Sequence, residues 1–239
     1  MIFRADEFFI FTGGFIMNQQ KTRRLTTSAI MLALATVLAI VCAYVPFLNL
    51  PFGGGFTIAS MLPIVIVAYM YGTRWGLFTA GCYSVIQIIL SLTQGASGTV
   101  MALFMPASDD FMGYGAAVAI IIIDYIVAYT VLGLGGLFRN KIKNKTVSLV
   151  VGVVFALALR YVAHIVSGYI FYGAWAEWFF TQDGFYAVGG FILDHFSGNA
   201  LSLIYSAFYN GLFMIPEIII TAIAAAAVSP LPVIRKTEV

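Results

Sequence analysis

The sequence predicts an all-α integral membrane protein with six transmembrane helices, on the basis of three observations. Hydrophobic residues make up 62% of the chain and charged residues 9%, and the mean hydropathy is +0.98, whereas a soluble domain is roughly 45–50% apolar. Apolar runs long enough to cross a bilayer, which takes about 20 residues each, recur along most of the chain. Basic residues fall in alternate loops, as the positive-inside rule expects of a multi-pass protein.

Six apolar runs bounded by turn or charged residues define the predicted spans, at residues 25–46, 58–71, 75–92, 113–138, 147–172 and 199–228. The first follows a basic stretch and ends at Pro46. The second is shorter than the others and carries Pro63 near its start, which favours a tilted or shielded helix. Arg74 separates the second span from the third, and the basic stretch "RNKIKNK" separates the fourth from the fifth.

These spans form one membrane domain, residues 21–230, between two tails. Residues 1–20 are predicted to be an N-terminal tail, because "MIFRADEFFIFTGGFI" lacks the basic start, uninterrupted apolar core and cleavage site of a signal peptide. The stretch "MNQQKTRR" from Met17 looks more like a natural start, so the first 16 residues are expected to be disordered or a mis-assigned start. Residues 231–239 are predicted to be a cytoplasmic tail.

The distribution of lysine and arginine predicts that both termini are cytoplasmic. The loops on one side contain all the basic residues that flank the spans, namely Lys21, Arg23, Arg24, Arg74, Arg139, Lys141, Lys143, Lys145, Arg235 and Lys236. The opposite loops, at 47–57, 93–112 and 173–198, contain acidic residues but no lysine or arginine. By the positive-inside rule these acidic loops face outward. They are also the long loops, so we expect the functional site to open outward.

Sequence motifs argue against an enzyme. The chain contains no GxxxxGK[ST] loop, no GxGxxG after a strand, no HExxH and no nucleophile elbow. It therefore cannot hydrolyse ATP by itself. Its two cysteines, Cys42 and Cys82, lie in apolar runs without metal-ligand spacing, so we expect no metal site. We also expect no cofactor and no nucleic-acid partner.

Four ionisable residues lie inside predicted spans: Asp124, Arg160, His164 and Glu217. Such groups are costly in a bilayer and indicate function by default. Arg160 and Glu217 lie at similar depths, which predicts a structural ion pair between the fifth and sixth spans. The others could likewise only satisfy one another. Together with Tyr205 and Asn210 in the outer half, however, a carboxylate and an imidazole suit a flat, cationic, hydrogen-bonding heterocycle.

Four stretches carry a resemblance to a known family: "GGGFTIASMLP", "IDYIVAYTVLGLGGLF", "RYVAHIVSGYIFYG" and "YNGLFMIPE". They resemble the thiamine-specific S component, the substrate-binding membrane subunit, of energy-coupling-factor vitamin transporters. The resemblance implies six helices in a bacterial plasma membrane and a thiamine site in the outer half beneath a lid from the first loop. It also implies three partners, a transmembrane coupling protein and two cytoplasmic ATPase subunits.

The resemblance also implies roles for individual residues. Asp124 takes an acidic position, usually Glu in the family, that pairs with the thiazolium cation, and Tyr172 stands where the family often has Trp. The implied thiamine site comprises Asp124, Tyr125, His164, Tyr172, Tyr205, Asn210 and Tyr114, and the implied lid comprises Phe52, Gly53, Gly54, Gly55 and Phe56. Ala29 and Ala33 match a small-residue surface for docking on the coupling protein, although packing within the subunit fits them equally well.

Three alternatives remain open at the level of sequence. A sister S component could bind another vitamin or an aminopyrimidine precursor that lacks the thiazolium ring. An intramembrane enzyme is disfavoured by the missing motifs. A purely structural six-helix subunit would leave Asp124 and His164 without a purpose.

Overall fold

The computed structural model describes residues 5–49, 55–93 and 99–235. Within these ranges the α-helices are α1 Ala5–Ala43, α2 Leu62–Tyr71, α3 Thr73–Thr93, α4 Thr99–Phe104, α5 Tyr114–Phe138, α6 Lys145–Phe171, α7 Ala176–Phe180, α8 Tyr186–His195, α9 Gly198–Val228 and α10 Pro232–Arg235. Single 3-10 turns at Pro46–Leu48 and Gly173–Trp175 follow α1 and α6. The all-α prediction is confirmed across the described residues.

Five of these helices are long and apolar enough to cross a membrane within the described ranges: Gln19–Ala43 of α1, α3, α5, α6 and α9. The predicted second span, residues 58–71, is helical only from Leu62. At 1.5 Å per residue its 10 residues extend about 15 Å, half of the roughly 30 Å hydrocarbon core. The described chain therefore has five spanning helices and one short helix where the sequence predicts six spans.

The short helix α2 lies in the centre of the protein. All of its residues are buried, in contact with parts of α1, α3, α5 and α6. A helix that is apolar around its whole circumference belongs in an interior, because no face of it gains from water. Its neighbours, rather than lipid, enclose it.

Helix α1 is largely exposed over its apolar stretch, Gln19–Ala43. It begins at Ala5, within the stretch predicted to be a disordered tail, and the expectation of a mis-assigned start remains a prediction. Only 17% of its most apolar stretch is buried. Ala29 and Ala33 are both exposed, on the same side as Leu25, Val37 and Val41, so they do not pack within the subunit.

Glycines set the distance between the central helices. Gly135 of α5 and Gly152 of α6 approach so closely that a Cβ on Gly152 would overlap the Gly135 carbonyl group. Small residues allow such backbone contact between membrane helices. Helix α6 also packs along α9, and its C-terminal half, which carries Arg160 and His164, lies between α5 and α9.

Candidate functional site

Asp124 lies on an irregular part of α5. Residues Ile121–Val127 form a π-helical segment, which widens the helix by one residue per turn and is frequently found at functional sites. Asp124 and Tyr125 are in the middle of this segment. The local widening turns their side chains relative to a regular helix, which the sequence pattern did not reveal.

The carboxylate of Asp124 is held by two side chains of α6. His164 Nδ1 lies 2.7 Å from Asp124 Oδ1, and Ser167 donates its hydroxyl hydrogen to Oδ2. The side chain of His164 is 10% exposed, and that of Asp124 is 17% exposed. Charge-assisted hydrogen bonds of this kind fix a carboxylate in orientation. The structure thus brings together Asp124 and His164, two of the predicted site residues, and adds Ser167 to them.

Asn210 connects this cluster to α9. Its buried amide donates to the backbone carbonyl of His164 at 3.2 Å and to that of Ser206 at 2.8 Å. The Ser206 hydroxyl donates to the carbonyl of Ile165 at 2.8 Å. We call Asp124, His164, Ser167 and Asn210 the polar cluster, since hydrogen bonds and backbone contacts join them across three helices.

The predicted aromatic residues divide between two places. Tyr205 is buried, with its ring centroid 5.3 Å from that of Phe179 and 5.7 Å from that of Tyr209. Tyr172 packs against the same aromatic group. Tyr114, in contrast, is 61% exposed and contacts Phe111 at 5.4 Å. The structure therefore places Tyr172 and Tyr205 together and leaves Tyr114 outside their group.

A cavity of about 200 Å³ lies beside the polar cluster. Its walls include Gly55, Thr57, Tyr125, Arg160, Phe213 and Glu217. Phe213 borders both features, because its ring also contacts the His164 ring at 5.8 Å between centroids. Tyr125 follows Asp124 directly and donates to Ser91 Oγ at 3.2 Å. The four residues of the polar cluster do not line the cavity themselves, and Phe213 connects the two features through its contact with His164.

Arg160 and Glu217 line this cavity but do not form the predicted direct ion pair. The Arg160 guanidinium lies 4.3 Å from the ring centroid of Tyr129 and donates to Met61 Sδ. Glu217 accepts instead from Thr57, at 2.8 and 2.9 Å from the threonine hydroxyl. The prediction of this ion pair from similar depth was wrong, because Thr57, from the segment between α1 and α2, occupies the position opposite the carboxylate.

Two buried nitrogens near the cavity have no hydrogen-bond partner among the described residues: His164 Nε2 and Arg160 Nε. Buried polar atoms are seldom left unpaired. Their position on adjacent turns of α6, beside Tyr125 and Phe213, fits a polar ligand between the cluster and the cavity. Such a ligand would meet aromatic faces, the Arg160 Nε–H donor and the second ring nitrogen of His164, close to the Asp124 carboxylate.

The predicted lid is only partly described. Phe52, Gly53 and Gly54 lie outside the described residues. Gly55 forms an isolated antiparallel bridge with Asn49, and the Phe56 amide donates to the Leu48 carbonyl at 3.0 Å. Within the described chain no group of three or more His, Cys, Asp or Glu residues is arranged to hold a metal ion.

Sequence reasoning missed two residues of this site, Ser167 and Thr57. Ser167 follows His164 by three residues, so the two share a helix face, and this spacing could have identified it. Thr57 gave no such signal, because its partner Glu217 is 160 residues away.

Comparison with known proteins gives consistent results. The profile of a family described as "Thiamine transporter protein" matches residues 25–178. The thiamine transporter ThiT of Bacillus subtilis (strain 168) is 32% identical over 217 residues, which covers 87% of this chain and 91% of that protein. The solved structure of ThiT from Listeria monocytogenes has a similar fold, with a TM-score of 0.57 at 19% identity over 89% of this chain and 96% of that one.

Proposed function

Because the chain belongs to the thiamine transporter protein family, we propose that it binds thiamine at the polar cluster and serves as the thiamine-binding subunit of an energy-coupling-factor uptake transporter. It is a multi-pass protein of the bacterial plasma membrane, and the family transports a substrate rather than catalysing a reaction. Thiamine enters from outside, and both termini are cytoplasmic in this proposal.

The observation that carries the proposal is the Asp124 carboxylate, fixed by His164 and Ser167 beside a cavity. Thiamine carries a permanent positive charge on its thiazolium ring and a hydrogen-bonding aminopyrimidine. A buried carboxylate supplies the counter-charge. Tyr125, Tyr172 and Tyr205 supply aromatic surface, and cations bind favourably to such faces.

Energy for uptake comes from separate subunits in this proposal. The chain has no phosphate-binding loop, so a transmembrane coupling protein and two cytoplasmic ATPases would drive transport. The exposed stripe on α1 that contains Ala29 and Ala33 supports docking there, since small side chains permit close approach of a partner helix.

Thiamine binding is tested by titrating the purified protein while following tryptophan fluorescence and, in parallel, heat. The chain has three tryptophans, of which Trp175 packs against the aromatic group of Tyr172 and Tyr205. Thiamine should quench the fluorescence, and Trp175→Phe should reduce the quench without removing the heat. Riboflavin, which has no cationic ring, is the control ligand. Absence of both quench and heat with thiamine would contradict the proposal.

A further inference from the structure

Residues 55–60, which begin with the last two residues of the implied lid, line one side of the cavity, and we call them the roof segment. Gly55, Thr57 and Ser60 of this segment line the cavity. Its middle is attached to α1, where the Ile58 amide donates to Cys42 Sγ at 3.3 Å. Cys42 itself is only 5% exposed. The roof segment therefore covers both the cavity and a buried thiol.

The second attachment of the roof segment is to Glu217 of α9. The carboxylate, whose residue is 2% exposed, accepts hydrogen bonds from both the backbone amide and the hydroxyl of Thr57. The Thr57 hydroxyl also lies 2.6 Å from Ser60 Oγ. One buried carboxylate thus binds both the backbone amide and the hydroxyl of Thr57, and it fastens the roof segment to α9.

The backbone of the roof segment is itself strained. Ala59 has φ of 57°, a left-handed conformation that is unfavourable for residues other than glycine. Such a conformation persists only where surrounding contacts hold it. The contacts of Thr57 with Glu217 and of Ile58 with Cys42 come just before Ala59, and the hydroxyl contact between Thr57 and Ser60 spans it.

Glu217 takes no part in the polar cluster, which raises the question of why a carboxylate is buried here at all. A buried charge whose only role is packing can often be replaced by an apolar residue without loss. We infer that Glu217 and Thr57 are positioning residues that hold the roof segment closed over the cavity and thereby set the rate at which thiamine enters and leaves. The thiamine part of this inference rests on the proposed function.

Cys42 provides a direct test that needs no ligand. In the full chain with Cys82→Ser, Cys42 is the single remaining thiol. A small methanethiosulfonate reagent should modify it slowly, because the roof segment covers it. Thr57→Val removes the hydroxyl while keeping the side-chain shape, and a lost hydrogen bond to a charged group changes an opening equilibrium by about 10- to 100-fold. We expect Cys42 to react faster by that factor.

Thr221→Val is the matched control. The Thr221 hydroxyl also approaches Glu217, at 3.4 Å from Oε1, but it lies on α9 one turn further on and does not touch the roof segment. This variant should react like the parent. Equal rates in Thr57→Val and the parent would overturn the inference, as would equal acceleration in both threonine variants.

General unfolding is distinguished by a second thiol. Ser148 is fully buried in α6, so Ser148→Cys in a chain with both native cysteines replaced by serine reports on the helix core. Thr57→Val should leave the reactivity of this thiol unchanged. If both thiols became equally more reactive, the threonine would be stabilising the whole fold, and the inference would be wrong.

Thiamine exchange completes the test. Stopped-flow fluorescence should show that Thr57→Val raises the dissociation rate constant by about 10-fold or more, with a smaller change in the association rate constant. An unchanged dissociation rate together with faster Cys42 labelling would overturn the kinetic role. If thiamine did not bind the parent protein at all, the proposed function would fail, whereas the labelling result for the roof segment would still stand.

Discussion

Asp124→Asn separates the charge of the predicted counter-ion from its shape. In the structure the carboxylate is mostly buried and already oriented by His164 and Ser167, so it is preorganised to face a cation. Asparagine keeps the size of the side chain and removes the charge. A buried cation left without its partner costs about 3–5 kcal/mol, which corresponds to thiamine binding weakened by roughly 10²- to 10³-fold or more.

The same substitution acts on the protein without ligand. In the parent protein, one carboxylate oxygen contacts His164 at 2.7 Å and the other accepts from Ser167. Asparagine has a single oxygen acceptor, so it can keep only one of these two hydrogen bonds. Losing a hydrogen bond to a charged group costs about 1.5–3 kcal/mol. We therefore expect a lower midpoint of thermal unfolding in the absence of thiamine, and binding must be measured well below that midpoint.

The assay is calorimetric titration with a pair of ligands. Thiamine is compared with a neutral analogue in which thiophene replaces the thiazolium ring. The analogue should bind the parent protein less well than thiamine, and Asp124→Asn should weaken it little further. Asp124→Glu, which keeps the charge and restores the residue usual in the family that the sequence resembles, is the matched control and should retain binding.

One outcome refutes the reasoning outright. If Asp124→Asn weakens thiamine and the neutral analogue by the same factor, the residue acts through pocket shape or through its contacts with α6, and the charge-pairing mechanism is wrong. His164→Ala provides a reference for that comparison. It removes a hydrogen-bonding side chain without changing the Asp124 carboxylate, and it should weaken thiamine binding by about 1–3 kcal/mol.

Three further predictions follow from the fold. A single cysteine at Asp183 should react with a membrane-impermeant thiol reagent in intact cells and one at Asn144 should not; the opposite result contradicts the orientation. Ala29→Trp with Ala33→Trp should abolish uptake by the assembled transporter and leave thiamine binding by the isolated subunit unchanged, because both residues are exposed, and loss of binding would argue against a docking role. Gly152→Ala should lower the free energy of unfolding by about 1–3 kcal/mol in denaturant titrations, because its Cβ would overlap the carbonyl of the facing helix; an unchanged stability would show that the helices can separate at little cost.

The sequence alone determined most of the helical architecture. Helix α6 was predicted at 147–172 and is found at Lys145–Phe171, and α9 was predicted at 199–228 and is found at Gly198–Val228. Apolar length is a local property, and a bilayer converts it directly into a span. The proximity of Asp124, His164 and Asn210 was also predictable, because helices predicted to cross a membrane in alternating directions place these residues at similar depths.

Only the tertiary structure decided which groups at one depth actually meet. Depth predicted an Arg160–Glu217 pair, yet Glu217 binds Thr57 and Arg160 lies against Tyr129. The rotation of each helix about its axis and the path of the segment between α1 and α2 set these contacts, and neither has a local signature in the sequence. The sequence indicated that the second span is short and tilted or shielded, and the structure decided that protein encloses α2, Leu62–Tyr71, on all sides. The sequence of a segment determines whether it can span a membrane as a helix. Which side chains then bind each other depends on contacts between segments as distant in the chain as Thr57 and Glu217.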